Sequence, residues 1–386
     1  MSRELVVVVA ATGWDGIWMC ERHVAMNLAR TVDVLWVDPP VSRMTGLRNP
    51  AARVALSLAP LTEVHDGIVR LAPVTVPGLT RPGLRAVVQR QVRTAIAKAA
   101  ATLDRRPSAV LVTGLGDQLS AVPGARSVFY GTDDFVAGAE LMGIDRAWTE
   151  RSLRHQLRSA GAVVAVSEVL RHRWAAERPD ITVIPNGCDV RHFAATDSAD
   201  RPADVRLRGP IAGFVGHLSE RVDVSYLEAV ADRGISLLLV GPRQPTFDIG
   251  SVDALLARPN VQWVGPKSFD ELPSYLRVID VGLTPYADSA FNRASVPLKT
   301  LEYLAAGRPA VVSDLPSTRA LGAGLVEVTS SARDFAAATQ KALATPRTAD
   351  DVRRRRAFAA VHSWEQRTAD IAGVLGLAST ADRRAG

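Results

Sequence analysis

Cysteine is almost absent. Cys20 and Cys188 are the only two in 386 residues, far apart and without metal-ligand spacing, which argues against a disulfide framework and for a reducing compartment such as the cytoplasm. Aromatic residues make up 5% of the chain, too few to supply the stacking platforms that hold single-stranded nucleic acid. No apolar run approaches the roughly 18 residues that read as a membrane span. The one stretch that could pass for a leader, "LVVVVAAT" near Met1, is short and runs straight into "GWDG", so it reads as a first buried strand. Low-complexity tracts and short-period repeats are missing too, and the run Arg353 to Arg356 reads as solvated helix surface.

What remains is a globular balance of 47% hydrophobic and 22% charged residues, in a chain long enough for two ordinary domains. The net charge of +6 fits nucleic acid, an anionic membrane surface or small phosphorylated ligands. It also fits an arginine-rich surface with no partner at all. The apolar segments are short and continuous rather than alternating, as expected of parallel strands covered on both faces. In the first half they are "LVVVVA", "VDVLWV", "GIVRLA", "SAVLVT", "RSVFY", "GAVVAVS" and "ITVIP", with helical stretches between most of them. After "IPNGCDVRHF" comes the polar stretch "AATDSADRPADVRLRGP", which reads as a linker. The pattern then restarts with "IAGFVG", "ISLLLVG", "VQWVG", "DVGLTPY", "PAVVS" and "GLVEV".

Two such alternations predict an α/β chain of two facing Rossmann-like domains with a cleft between them. The expected boundaries are 1–190 for the first domain, 191–208 for the linker and 209–362 for the second domain. A terminal helix within 363–386 is expected to return to the first domain, followed by a loose tail. Ser268 and Glu271, three apart, predict a capping box.

In open parallel sheets, ligands bind beyond the carboxyl ends of the strands. In the second half those ends carry Gly216, His217 and Arg221, then Gly241, then Gly265 and Lys267, and last Asn292, Ser295, Leu298, Lys299 and Glu302. Strand-end glycines let a ligand lie close to the backbone, or merely terminate the strands. Basic side chains beside a helix N-terminus suit phosphate, because free N–H groups and the helix dipole both favour an anion there. The backbone amides of Leu298 and Lys299 are therefore candidates for a pyrophosphate, and Glu302 for the hydroxyls of a sugar. Singly, Arg221 and Lys299 also read as solvated cations and His217 as a packed neutral ring.

Taken in order, "IPNGCDVRHF", "GFVGHLSE", "LLLVGP", "VQWVGPKSFDELPSYLRVIDVGLTPY" and "PLKTLEYLAAGRPAVVSDLPS" resemble the nucleotide-sugar glycosyltransferases of the GT-B fold. Within that fold the likeness is to the retaining family 4 enzymes and to bacterial cell-surface polysaccharide transferases of the teichuronic-acid type. It extends weakly into the first half through "GWDGIW", "FYGTDDF" and "VVAVSEVL". The resemblance implies transfer of a sugar from a nucleotide-diphosphate sugar (UDP, GDP or dTDP), with retention and without a metal or other cofactor. It makes Glu302 the second acid of the family's E-x7-E pair; the first acid's position is Ala294. Of the pattern G-R-L-x-x-x-K-G, Gly216 and Leu218 match, His217 replaces the arginine, and Arg221 stands one place before the lysine.

On this reading Arg221 and Lys299 neutralise the diphosphate leaving group. The remaining donor contacts are Gly216, His217, Gly241, Lys267, Asn292, Ser295, Leu298 and Glu302, and the loop from Gly13 to Gly16 faces the donor from the first domain. Asp133 is the candidate for the acceptor side, while Asp134 equally suits a turn cap. The acceptor stays open among a glycan, a lipid-linked molecule and a small molecule. The helix from Arg81 to Arg106 could touch the inner membrane face or pack on the sheet. Nucleic acid is not an expected partner. Two rival readings remain: a nucleotide-sugar epimerase on the same scaffold, and a non-catalytic sugar-nucleotide-binding subunit. A dehydrogenase is disfavoured because "VTGLGDQ" holds only two glycines of the dinucleotide fingerprint.

Overall fold

The computed structural model describes residues 3–44, 56–57, 59–78, 81, 83–321 and 324–377. The tail expected after the terminal helix lies mostly outside these residues. The chain divides into two units, one of Met1–Pro185 with Arg367–Gly386 and the other of Asn186–Gln366.

In unit 1 the strands are β1 (Leu5–Val9), β2 (Asp33–Val37), β3 (Leu61–His65), β4 (Ile68–Leu71), β5 (Pro107–Val112), β6 (Arg126–Gly131), β7 (Ala162–Ala165) and β8 (Ile181–Val183). They form one sheet in the order β3-β4-β2-β1-β5-β6-β7-β8. Val6, Val7 and Val8 of β1 are fully buried, as a central parallel strand requires. All pairings are parallel except β3 on β4. That hairpin was not legible as a strand pair, because "LTEVH" shows a mostly exposed edge pattern instead of an apolar run. The helix Leu84–Thr102 buries Val88, Val92, Ile96 and Ala99, a stripe at i+3 and i+4 spacing that packs inward. No helix among the described residues is long and apolar enough to cross a membrane.

Unit 2 holds β9 (Ile211–Val215), β10 (Ser236–Val240), β11 (Val261–Trp263), β12 (Val281–Thr284), β13 (Ala310–Ser313) and β14 (Val326–Thr329), all parallel. Their order is β11-β10-β9-β12-β13-β14, so the winding reverses between β9 and β12. Those two strands pair only through Val281 with Ala212 and Gly282 with Gly213. Past that point the buried Tyr303 hydroxyl takes the place of a strand bond: it accepts from Val215 N at 2.9 Å and donates to Leu283 O at 3.2 Å.

The stretch 191–208 does not behave as a linker. Phe193 is 1% exposed in the core of unit 2, His192 stacks on Phe269 with ring centroids 4.2 Å apart, and Asp204 pairs with Lys267 at 2.7 Å. Its polar composition hid these few anchoring contacts. At Ser268 the capping interaction is present: the Glu271 carboxylate accepts from the Ser268 amide at 2.8 Å and from its hydroxyl at 2.7 Å.

Candidate functional site

The point where strand order reverses in an open parallel sheet is where ligands bind. In unit 2 two loops meet there, one after β9 and one after β12. They are joined by a Val222–Tyr286 bridge and by bonds from Ala287 N to Arg221 O and from Asp223 N to Pro285 O, both 2.9 Å.

Asn292 holds Arg221 in place. It is 1% exposed; its amide donates to Arg221 O and to Ala287 O at 2.9 Å, and its carbonyl accepts from Arg221 Nε at 3.1 Å. The guanidinium carbon also lies 5.2 Å from the Tyr286 ring centroid and 5.0 Å from that of Phe291, a cation–π arrangement. Asn292 is thus committed to the loop and its arginine. Ser295 is likewise occupied, its hydroxyl donating to Phe291 O at 3.0 Å.

The helix Leu298–Ala305 starts beside this group. Pro297 is its N-cap and no side chain caps it, which leaves first-turn amides without helical acceptors. One turn in, Lys299 Nζ donates to Glu302 Oε2 at 2.8 Å; the carboxyl side chain is 9% exposed and the lysine 24%. Tyr303, next along, fixes this helix to β9 and β12 through the two bonds described above. Asn186 adds a further group, legible beforehand only as part of a turn. Its amide donates to Val296 O at 3.3 Å, while its buried Oδ1 has no partner. The neighbouring Cys188 thiol is pushed well above its ordinary range by burial, with Glu302 adding and Lys299 opposing. It is therefore a packed thiol and not a nucleophile.

His217 is exposed at the end of β9. Crowding around the ring lowers its pKa below the ordinary 6.5, Arg221 lowers it further, and Glu220 opposes. At neutral pH the ring is uncharged.

The other strand-end residues separate from this group. Lys267 lies beyond edge strand β11, paired to Asp204 at 2.7 Å and 5.0 Å from the Tyr275 ring centroid. Its charge is matched within the protein, so it is not brought to Arg221 and Lys299. Gly241 is required by packing: its φ is 134°, and a Cβ there would lie 2.0 Å from Gly216 O. The glycine lets two strand ends meet, which the sequence could not distinguish from ligand access. Gly265, by contrast, has a φ of 73° and open space around it. Ala294, at the first-acid position, is fully buried.

Gly13 and Asp133 belong to unit 1. Gly13 accepts from Gly16 N at 2.9 Å in the turn after β1. Asp133 follows β6 near Cys20 and Tyr130, whose pKa values burial pushes well up, with Glu21 and Asp133 adding. Asp134 takes the capping role, accepting from Ala137 N at 3.0 Å, and also pairs with Arg173.

Residues 209–345 match the family described as Glycosyl transferases group 1. A curated Bacillus subtilis protein described as a teichuronic acid biosynthesis glycosyltransferase, TuaH, is 36% identical over 149 residues. That match spans 38% of this chain and 37% of the relative's length. Among solved structures, sucrose-phosphate synthase from Thermosynechococcus elongatus superposes with a TM-score of 0.73 at 16% identity, covering 100% of both chains. Anabaena HepE in complex with UDP and glucose gives 0.66 at 16% identity, over 97% of this chain and 99% of that one. An Escherichia coli trehalose-6-phosphate structure bound with UDP-2-fluoro glucose gives 0.68 at 13% identity, over 97% and 100%. Residues 209–345 are thus similar to group 1 glycosyl transferases, and the chain has the two-unit Rossmann-like fold of the GT-B glycosyltransferases.

Proposed function

We propose that this chain is a glycosyltransferase that moves a sugar from a nucleotide-diphosphate sugar to an acceptor, with unit 2 holding the donor. The observation that carries the reading is the placement of Arg221 after β9, and of the uncapped start of the helix Leu298–Ala305 with its Lys299–Glu302 pair after β12, at the two strands of the strand-order reversal. The amides of Leu298 and Lys299 and the Arg221 guanidinium suit a diphosphate. Glu302, freed in part from Lys299 when an anion draws the lysine away, accepts hydrogen bonds from ribose hydroxyls. Two structural neighbours in complex with UDP or a UDP-sugar support a nucleotide-sugar donor.

In the reaction the acceptor oxygen bonds to the anomeric carbon as the bond from that carbon to the diphosphate breaks. The electron pair leaves with the diphosphate, and the acceptor's proton passes to a diphosphate oxygen or to solvent. Negative charge grows on the leaving group, so fixed donors aimed at it stabilise the transition state more than the ground state. Retention of configuration is part of the proposal and rests on the family resemblance alone.

The test is transfer by wild type, Arg221→Ala and Glu302→Ala with a panel of nucleotide-diphosphate sugars and hydroxyl acceptors. Each variant should lose at least about 100-fold in rate while keeping its circular dichroism spectrum. Wild-type rates in both would remove the reading. Interconversion of the sugar without any acceptor would instead select the epimerase.

A further inference from the structure

Unit 2 contains a cavity of about 280 Å³ where β13 and β14 begin, beside the end of the helix Ala332–Ala344 and the start of the helix Ala349–Val361. The proposed donor contacts follow the carboxyl ends of β9 and β12, so this cavity lies at the opposite end of the same parallel sheet. Three cations line it, Lys341, Arg347 and Arg355, against two carboxylates, Glu327 and Asp351. Asp351 is committed to a helix cap: it accepts from Thr348 N at 3.3 Å and from the Thr348 hydroxyl at 2.7 Å, and it pairs with Arg354. Glu327 meets Lys341 at 3.7 Å with both side chains more than half exposed, so water and salt screen the pair.

The two arginines are left without a carboxylate. Arg355 is half-buried, and its guanidinium donates to Gly307 O at 3.5 Å, in the turn after the helix Leu298–Ala305. Arg347 is exposed, and its side chain enters no ion pair or hydrogen bond among the described residues. Burial lowers the Arg355 pKa, Asp351 opposes, and Arg347 and Arg354 lower it further. Burial and then Arg347 also bring the nearby Arg308, 2% exposed, down to about 10. Like charges held together in a recess favour an anion that supplies the missing opposite charge. Guanidinium forks match phosphate oxygens in pairs. A phosphate carries about two negative charges at neutral pH, which answers two arginines where a single carboxylate answers one. The volume equals that of about nine waters, room for a diphosphate or for the phosphate end of a small ester.

We infer that this cavity binds a small phosphate-bearing anion, gripped by Arg347 and Arg355, separately from the donor. Calorimetric titration of pyrophosphate into the full chain tests it. Pyrophosphate also suits Arg221, so the titration is run on wild type and on Arg221→Ala, with circular dichroism confirming the fold of each protein. Arg221→Ala should keep a site with a dissociation constant of about 1 mM or tighter. Adding Arg347→Glu, a reversal at an exposed side chain that breaks no contact, should weaken that site at least about tenfold. Adding Arg355→Gln instead, which keeps much of the stem, should weaken it about fivefold or more. Ribose 5-phosphate separates the sources: binding that Arg347→Glu removes assigns a phosphate ester, and binding of pyrophosphate alone assigns a free diphosphate. No binding of either up to about 10 mM, or equal binding with and without Arg347→Glu, would overturn the inference. So would citrate binding more tightly than both phosphates in a manner that Arg347→Glu abolishes. Nucleoside diphosphate binding by wild type and Arg347→Glu reports the donor site; its absence removes the transferase reading and leaves this site standing.

Discussion

His217 stands next to a candidate anion site with its pKa held below 6.5 by crowding and by Arg221, against Glu220. A bound diphosphate favours the charged ring, so binding takes up a proton and affinity rises as pH falls from 7 toward 5.5. The expected outcome is a steeper pH dependence of nucleoside diphosphate affinity in wild type than in His217→Gln; equal slopes would exclude the histidine from the site. Tyr303 gives a second prediction. Tyr303→Phe leaves Val215 N–H and Leu283 C=O without the hydroxyl that joins them, at a cost of about 1–3 kcal/mol measurable by urea unfolding, and it loosens the helix that presents Lys299 and Glu302. These roles differ in how legible they were. The basic and acidic residues could be found from their place after apolar strands. Tyr303 carries no such mark, because nothing in the sequence says that β9 and β12 part company after two pairs.

Among the elements, the short helix Ala290–Ala294 and the helix Leu298–Ala305 show what the missing acid means. Ala294 is 0% exposed, so Ala294→Glu places a carboxylate where no water reaches and should destabilise by about 3 kcal/mol or more, with a clear drop in thermal midpoint. A variant that folds at wild-type stability and gains transfer would contradict this. The strands were legible almost everywhere because parallel strands covered on both faces need unbroken apolar runs. β3 escaped because it is a half-exposed edge, and residues 191–208 read as a linker because Phe193 and Asp204 are isolated anchors in a polar stretch. The strand-end glycines were found but not understood. Gly241 serves the contact with Gly216, and Gly241→Ala should cost about 3 kcal/mol through a disfavoured φ and direct overlap.

For the molecule as a whole, the two units have separate cores, and residues from Arg367 onward belong to the first. Ile371 is 0% exposed, so Ile371→Ala should lower the stability of unit 1 by about 2–5 kcal/mol, while a nucleoside diphosphate raises the unfolding transition of unit 2. Which strand ends flank the strand-order reversal was legible in outline; the cavity at the start of β13 and β14 was not, since Arg355, which lines it, read as part of a solvated arginine run. The central claim is that unit 2 grips a nucleotide's diphosphate with Arg221 and the helix start at Leu298, and its ribose with Glu302. Calorimetric titration of UDP, GDP and dTDP into wild type, Arg221→Ala and Glu302→Gln tests it most directly. The account predicts micromolar binding of at least one of the three to wild type, weakened at least about tenfold in each folded variant; no binding by any of them, or equal binding by all three proteins, would contradict it.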